Sequence, residues 1–139
     1  MKKIKSFAVL AAMAFALMTG CSGTTTKNYI LATGGTSGTY YPFGGAIANV
    51  WNTKLENMNV TAQATGASAE NLRLINKGEA EFAIVQNDVM DYAYNGSDMF
   101  NGQKLPNLAT IGTLYPEVVQ IAAANGSSIA KIGDFAGKR

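Results

Sequence analysis

The feature that most constrains the fold of this chain is an alternation of short apolar runs with segments of helical periodicity. The runs 29–32, 60–65 and 82–85 are brief and rich in β-forming residues. Between them, apolar side chains recur every three or four residues. This alternation predicts an open, mostly parallel α/β sheet with helices on both faces. Two further strand-like runs, 108–114 and 118–124, extend the pattern.

The first helix is predicted to begin near Pro42, because a proline in the first turn lacks only an N–H that would have no partner there. Gly44 and Gly45 follow and would let this helix approach its neighbour closely. The apolar face of the helix is predicted to consist of Phe43, Ile47, Val50, Trp51 and Leu55.

Two shorter helices are predicted farther along the chain. The first begins at Ser68 as N-cap and ends at Lys77-Gly78, a cation followed by a glycine. The second has Asn87 or Asp88 as its N-cap and stops at Asn95-Gly96.

The loops that follow the first three strands are the candidate binding site. Open α/β sheets bind ligands beyond the carboxyl ends of their strands, and loops 34–41, 66–68 and 86–88 occupy that position. The first loop has neither the lysine of a phosphate-binding loop nor the glycine spacing of a dinucleotide fingerprint. Its glycines nevertheless expose backbone N–H groups before a helix N-terminus, which carries a partial positive charge.

This first loop is therefore predicted to hold an anionic group such as a carboxylate, without metal or cofactor. Hydroxyl groups come from Thr36, Ser37 and Thr39, with Gly38 between them, and Tyr40 and Tyr41 supply flat walls. The alternative is a tight strand-to-helix turn that merely needs glycine.

Candidate residues in the other loops are fewer. Ser68 repeats the helix-start arrangement, although the sequence alone favours a plain N-cap there. Gln86, Asn87 and Asp88 offer polar groups after the third strand, and Tyr115 lies at a predicted strand end, where it could equally serve packing.

Composition argues against most catalytic chemistry. The chain of 139 residues contains no histidine and one cysteine, which removes the Ser-His-Asp and Cys-His arrangements, the commonest zinc sites and any internal disulfide. An enzyme is therefore disfavoured.

The N-terminus has the features of a secretory signal. Three lysines precede an apolar run at 7–18 that is short for a membrane span, and Cys21 follows where a bacterial lipoprotein signal places its lipidated cysteine. We expect a signal peptide at 1–20 and a polar tether at 21–28. The alternatives are an ordinary signal peptide or an uncleaved anchor. Cleavage would change the net charge from +2 to about −1, which disfavours nucleic acid as a partner.

Several segments together resemble one family. These segments are similar to TAXI-type solute receptors of TRAP transporters. In chain order they are TGGTSGTYYPFGGAIANVWN, TGASAENLRLINKGEAEFAIVQNDV, LYPEVVQI and GDFAGKR. The resemblance implies a type II periplasmic-binding-protein fold of two lobes that close on a ligand, of which residues 29–139 would form the first lobe only. With the second lobe absent, we expect weak or absent ligand binding.

The resemblance also implies a function and a location. Such receptors capture a small carboxylate or an amino acid such as glutamate and deliver it to a membrane permease. The ligand-holding positions carried over are Thr36, Ser37, Gly38, Thr39, Tyr40, Tyr41, Ser68, Gln86 and, more weakly, Tyr115. The protein would be extracytoplasmic and held at the membrane by a lipid on Cys21. The alternative is an immunogenic surface lipoprotein domain with no small ligand.

Overall fold

The computed structural model describes residues 25–138. The predicted signal peptide and Cys21 lie outside these residues. Contacts divide the described residues into two compact units, with the boundary between Leu108 and Ala109. The strands and the three α-helices found within residues 25–138 all belong to the first unit.

The first unit is an open parallel α/β sheet, which confirms the predicted fold class. Its strands are β1 (Lys27–Ala32), β2 (Met58–Gln63) and β3 (Phe82–Ala83), in the spatial order β2-β1-β3 with all pairs parallel. Its helices are α1 (Tyr40–Lys54), α2 (Ser68–Lys77) and α3 (Asn87–Asn95), followed by a 3-10 turn at Asp98–Phe100. The first strand begins two residues earlier than predicted.

Two hydrophobic clusters lie on opposite faces of the sheet. The first cluster lies under α1 and consists of Leu31, Ala48, Val60 and Ile84. The second lies under α2 and α3 and includes Leu72, Val89, Phe100 and Leu105. Ile84 belongs to the first cluster whereas Val85 packs against the second, because successive side chains of an extended chain point to opposite faces. Helices therefore cover both faces.

The inward face of α1 differs from the predicted one. Gly44 and Ala48 are its buried residues, and Tyr40, Ile47 and Trp51 pack partly buried beside them. The other predicted members of the face, Phe43, Val50 and Leu55, are exposed. The reason is the close approach at Gly44, where a Cβ would clash with the methyl group of Thr33. Gly45, by contrast, faces open space.

The outer edge of β2 is filled by a side chain of α1. The Asn52 amide donates to the carbonyl of Val60 at 2.9 Å and accepts from the Val60 N–H at 2.6 Å. These two bonds resemble those that a neighbouring strand would make. A further strand therefore cannot pair with β2 at Val60 while Asn52 occupies these groups.

The predicted helix ends are confirmed, but the predicted N-caps of the two shorter helices are wrong. Gly78 and Gly96 adopt the left-handed conformation that ends α2 and α3. The N-cap of α2 is Ala67 rather than Ser68, and the N-cap of α3 is Gln86 rather than Asn87 or Asp88. Neither cap makes a side-chain cap hydrogen bond.

The strands predicted at 108–114 and 118–124 are absent from the described chain. A strand requires a hydrogen-bonded neighbour, and within residues 25–138 neither segment is paired in a sheet. Ile111, Val118, Val119 and Ile121 are exposed. The second unit contains one 3-10 turn, Ile132–Phe135, whose Asp134 carboxylate accepts the backbone N–H groups of Ala130 and Lys131.

Candidate functional site

The carboxyl ends of the three strands meet at one edge of the sheet. Direct backbone bonds join their continuations: the Thr33 N–H donates to the Gln63 carbonyl at 3.0 Å, and the Thr65 N–H donates to the Gly34 carbonyl at 3.2 Å. The Ile84 N–H donates to the Ala32 carbonyl at 3.0 Å. Parallel pairing therefore brings the three predicted loops together, as the sequence indicated.

The side-chain amide of Asn71 joins all three of these strand ends. It donates to the carbonyl of Thr33 at 2.7 Å and to the carbonyl of Ile84 at 2.8 Å, and its oxygen accepts the Thr65 hydroxyl at 2.6 Å. Asn71 is fully buried. Burial of an amide is costly unless it is paired, and this amide is paired with a group after each strand.

Ser68 and Gln86, which were predicted separately, lie in direct contact. The Ser68 hydroxyl oxygen accepts the Gln86 backbone N–H at 2.9 Å, and Ser68 is buried. The hydroxyl thus joins the start of α2 to the N-cap residue of α3 instead of capping its own helix.

The glycine loop presents its hydroxyls to solvent. Thr36, Ser37 and Thr39 are exposed, and the loop turns through a bond from the Gly38 N–H to the Gly35 carbonyl at 2.9 Å. Thr39 is the N-cap of α1 but makes no side-chain cap hydrogen bond. Tyr41 is half-buried.

The starts of α1 and α2 lie on either side of Gly34. A Cβ placed on Gly34 would stand 3.4 Å from the Tyr40 Cβ and 3.7 Å from the Ala67 Cβ. Ala67 itself has φ 70° and ψ −152°, a conformation close to one that is nearly restricted to glycine. The turn into α2 is therefore strained at the point where it faces α1.

The two helix starts differ in charge. The Glu70 carboxylate accepts the Gly66 N–H at 2.7 Å, so an acidic group of α2 already compensates the N-terminus of that helix. The first turn of α1 contains no acidic residue. Of the two predicted anion positions, the start of α1 is thus the one without a carboxylate of its own.

Tyr115 belongs to the second unit, and its role in binding stays a prediction. Its hydroxyl donates to the Glu117 carboxylate at 3.5 Å. Desolvation and, to a smaller extent, this carboxylate raise the pKa of Tyr115 above its ordinary value, because both disfavour the phenolate.

A family model of the NMT1-like family matches residues 31–139. The chain belongs to the NMT1-like family. This family is related to solute-binding proteins and is generally non-catalytic. The match begins within β1 and includes every loop described above. The three-stranded parallel sheet with its helices is consistent with part of a periplasmic-binding-protein lobe.

The chemistry of this NMT1-like chain is that of hydroxyls and backbone amides. Within residues 25–138, no group of three or more acidic or cysteine side chains is placed to hold a metal ion. Across the same range, no helix has the length and apolar content needed to cross a membrane. The loops 34–41, 65–68 and 84–88 contain no basic residue, so an anion there would depend on backbone N–H groups and hydroxyls.

Three functional candidates were missed from the sequence: Thr65, Ala67 and Asn71. Asn71 lies beside Leu72 on the inward face of α2, and a polar residue on that apolar face was the available signal. Its partner Thr33 is 38 positions away, which no local pattern reveals. The strain at Ala67 has no signature in the sequence, since glycine rather than alanine is the residue that a positive φ favours.

Proposed function

We propose that this chain is the ligand-binding part of an extracytoplasmic solute receptor that captures a small carboxylate or an amino acid for a TRAP-type secondary transporter. The observation that carries the proposal is the edge of the sheet where hydrogen bonds join the carboxyl ends of β1, β2 and β3. There, exposed hydroxyls surround the start of α1, which lacks an acidic residue in its first turn.

The polarity of this edge favours a carboxylate-bearing ligand. The partial positive charge of a helix N-terminus and its backbone N–H groups can hold an anion without a basic side chain. Glu70, which already engages the Gly66 N–H, adds a negative charge at the start of α2. A ligand with a carboxylate towards α1 and an ammonium group towards Glu70 would complement both helix starts, as an amino acid does.

The proposal is tested by NMR titration of the 15N-labelled full chain with L-glutamate, succinate and, as an uncharged control, glucose. Ligands are added to millimolar concentration so that weak binding is also detected. We expect L-glutamate to shift the amides of loop 36–41 and of Ala67 and Ser68, with glucose leaving them in place. Shifts that are absent, or that are spread evenly over the chain, would contradict the proposal.

Two serine variants, one in the glycine loop and one outside it, test whether the glutamate response depends on this loop. Replacing Ser37 with alanine removes an exposed hydroxyl of the glycine loop, and replacing Ser97 with alanine removes an exposed hydroxyl beyond α3. We expect the first change to weaken the glutamate response by about threefold to tenfold, the range for one hydrogen bond. The second change should leave the response unaltered.

The membrane attachment at Cys21 is a second part of the proposal. The basic start, the apolar run and the position of the cysteine support it. If the cysteine is lipidated, Cys21→Ser will move the protein from the membrane fraction to the soluble fraction of the cell, whereas Ser22→Ala will not. Continued membrane association of Cys21→Ser would contradict the anchor while leaving the binding proposal intact.

A further inference from the structure

The hydrogen bonds around Ala67 form a closed ring of three residues. The Ala67 N–H donates to the Thr65 hydroxyl at 3.1 Å, and that hydroxyl donates to the Asn71 side-chain oxygen at 2.6 Å. The Asn71 backbone N–H then donates to the Ala67 carbonyl at 3.0 Å. Both backbone polar groups of Ala67 are thus held by Thr65 and Asn71.

This ring holds a conformation that alanine would not adopt unaided. A backbone with φ 70° and ψ −152° persists in an L-residue only where the surroundings determine it. The ring supplies that restraint locally. Asn71 anchors it to the rest of the edge through the carbonyls of Thr33 and Ile84.

We infer that Thr65 and Asn71 are positioning residues of the ligand site: they hold Ala67 so that the start of α2 faces Gly34 and the start of α1. This inference rests on the proposed function, since it names the residues that preorganise the same site. Neither residue needs to touch the ligand, because each acts through the backbone of Ala67. A site with its loops already in place loses less freedom when a ligand binds.

Thr65 allows this role to be separated from the stability of the fold. Its side chain is only half-buried, and its own backbone N–H remains bonded to the Gly34 carbonyl whatever the side chain is. Thr65→Val keeps the shape and removes the hydroxyl, whereas Thr65→Ser keeps the hydroxyl. Thr61→Val makes the same chemical change at an exposed position of β2 and serves as the matched control.

The experiment is residue-resolved hydrogen exchange of the full chain. We expect the amide of Ala67 to exchange about tenfold faster in Thr65→Val, with the amides of Leu31 and Val60 in the sheet unchanged. Thr65→Ser and Thr61→Val should match the parent protein. An unchanged Ala67 amide, or an acceleration shared equally with Leu31, would overturn the inference, because a general loss of stability speeds every slow amide.

Ligand binding is measured on the same four proteins with L-glutamate as probe. We expect Thr65→Val to weaken glutamate binding by about tenfold and Thr65→Ser to restore it, as expected for one lost hydrogen bond. Parent-like affinity in Thr65→Val would overturn the positioning role. If the parent protein binds neither L-glutamate nor succinate, the proposed function fails, and the exchange of Ala67 alone then decides whether the ring fixes this loop.

Discussion

The hydroxyl oxygen of Ser68 accepts the backbone N–H of Gln86 at 2.9 Å, joining two residues that lie 18 positions apart in the chain. Ser68 is the first residue of α2, and Gln86 precedes α3. The bond joins the start of one helix to the start of the next. It therefore fixes two of the three loops of the candidate site with respect to each other.

We predict that Ser68→Ala destabilises the first unit by about 1–2 kcal/mol, because the Gln86 N–H loses its acceptor in a partly buried place. Urea unfolding followed by circular dichroism measures the change in the free energy of unfolding. The exposed Ser97 provides the control, since its replacement by alanine should alter stability by less than about 0.5 kcal/mol. Equal stability of the two variants would show that the bond contributes nothing.

Asn71→Ala should be among the most destabilising single changes in the chain. It leaves the carbonyls of Thr33 and Ile84 and the hydroxyl of Thr65 without their partner, for a loss of about 3 kcal/mol or more. Asn76→Ala on the exposed side of the same helix should be neutral or slightly stabilising, because alanine is the better helix former. The same urea experiment compares the two, and similar effects would refute a special role for Asn71.

Replacing Gly44 or its neighbour Gly45 in α1 with alanine should change the stability of the protein in opposite directions. Gly44→Ala places a methyl group against the methyl of Thr33, whose hydroxyl is held by the Gln63 carbonyl, so we expect a loss of about 1–3 kcal/mol. Gly45→Ala meets open space and should gain about 0.5–1 kcal/mol from helix propensity. Thermal melting of both variants checks the signs. A stable Gly44→Ala protein would mean that α1 moves away from the sheet at little cost.

Ala67→Gly should stabilise the protein, which is unusual for the loss of a methyl group. Relief of strain of order 1–3 kcal/mol exceeds the added chain entropy of the unfolded state, about 0.4–1 kcal/mol, at a residue with φ 70°. Ala69→Gly, two residues later inside α2, has no strain to relieve and should lose at least about 0.5–1 kcal/mol, because its methyl group also packs against the cluster of Leu72. A lower melting temperature for Ala67→Gly would contradict the strain at this position.

The fold class was predictable because it depends on local patterns. A strand of period two and a helix of period 3.6 can each be recognised in a window of a dozen residues. The glycines that end α2 and α3 were predictable for the same reason, since a left-handed residue at the end of a helix favours glycine.

The face of α1 was not predictable in the same way. Its apolar residues surround much of the helix, so periodicity alone left several orientations open. The contact of Gly44 with Thr33 selects one of them and leaves Phe43 and Val50 outward. The segments 108–114 and 118–124 show the same limit, because β-forming residues make a strand only where a partner strand exists.

The amino-acid sequence by itself determined the order of strands and helices in the first unit, the parallel α/β class and the three loops in which a ligand site could lie. It also determined that hydroxyls and backbone amides, rather than basic side chains, line those loops. Only the tertiary structure decided that Ser68 binds Gln86, that Asn71 joins three strand ends, and that Ala67 is strained between them. The physical reason is distance along the chain. Periodicity and turn chemistry act over a few residues, whereas the bonds of Ser68 with Gln86 and of Asn71 with Thr33 and Ile84 join groups that only the folded sheet brings together.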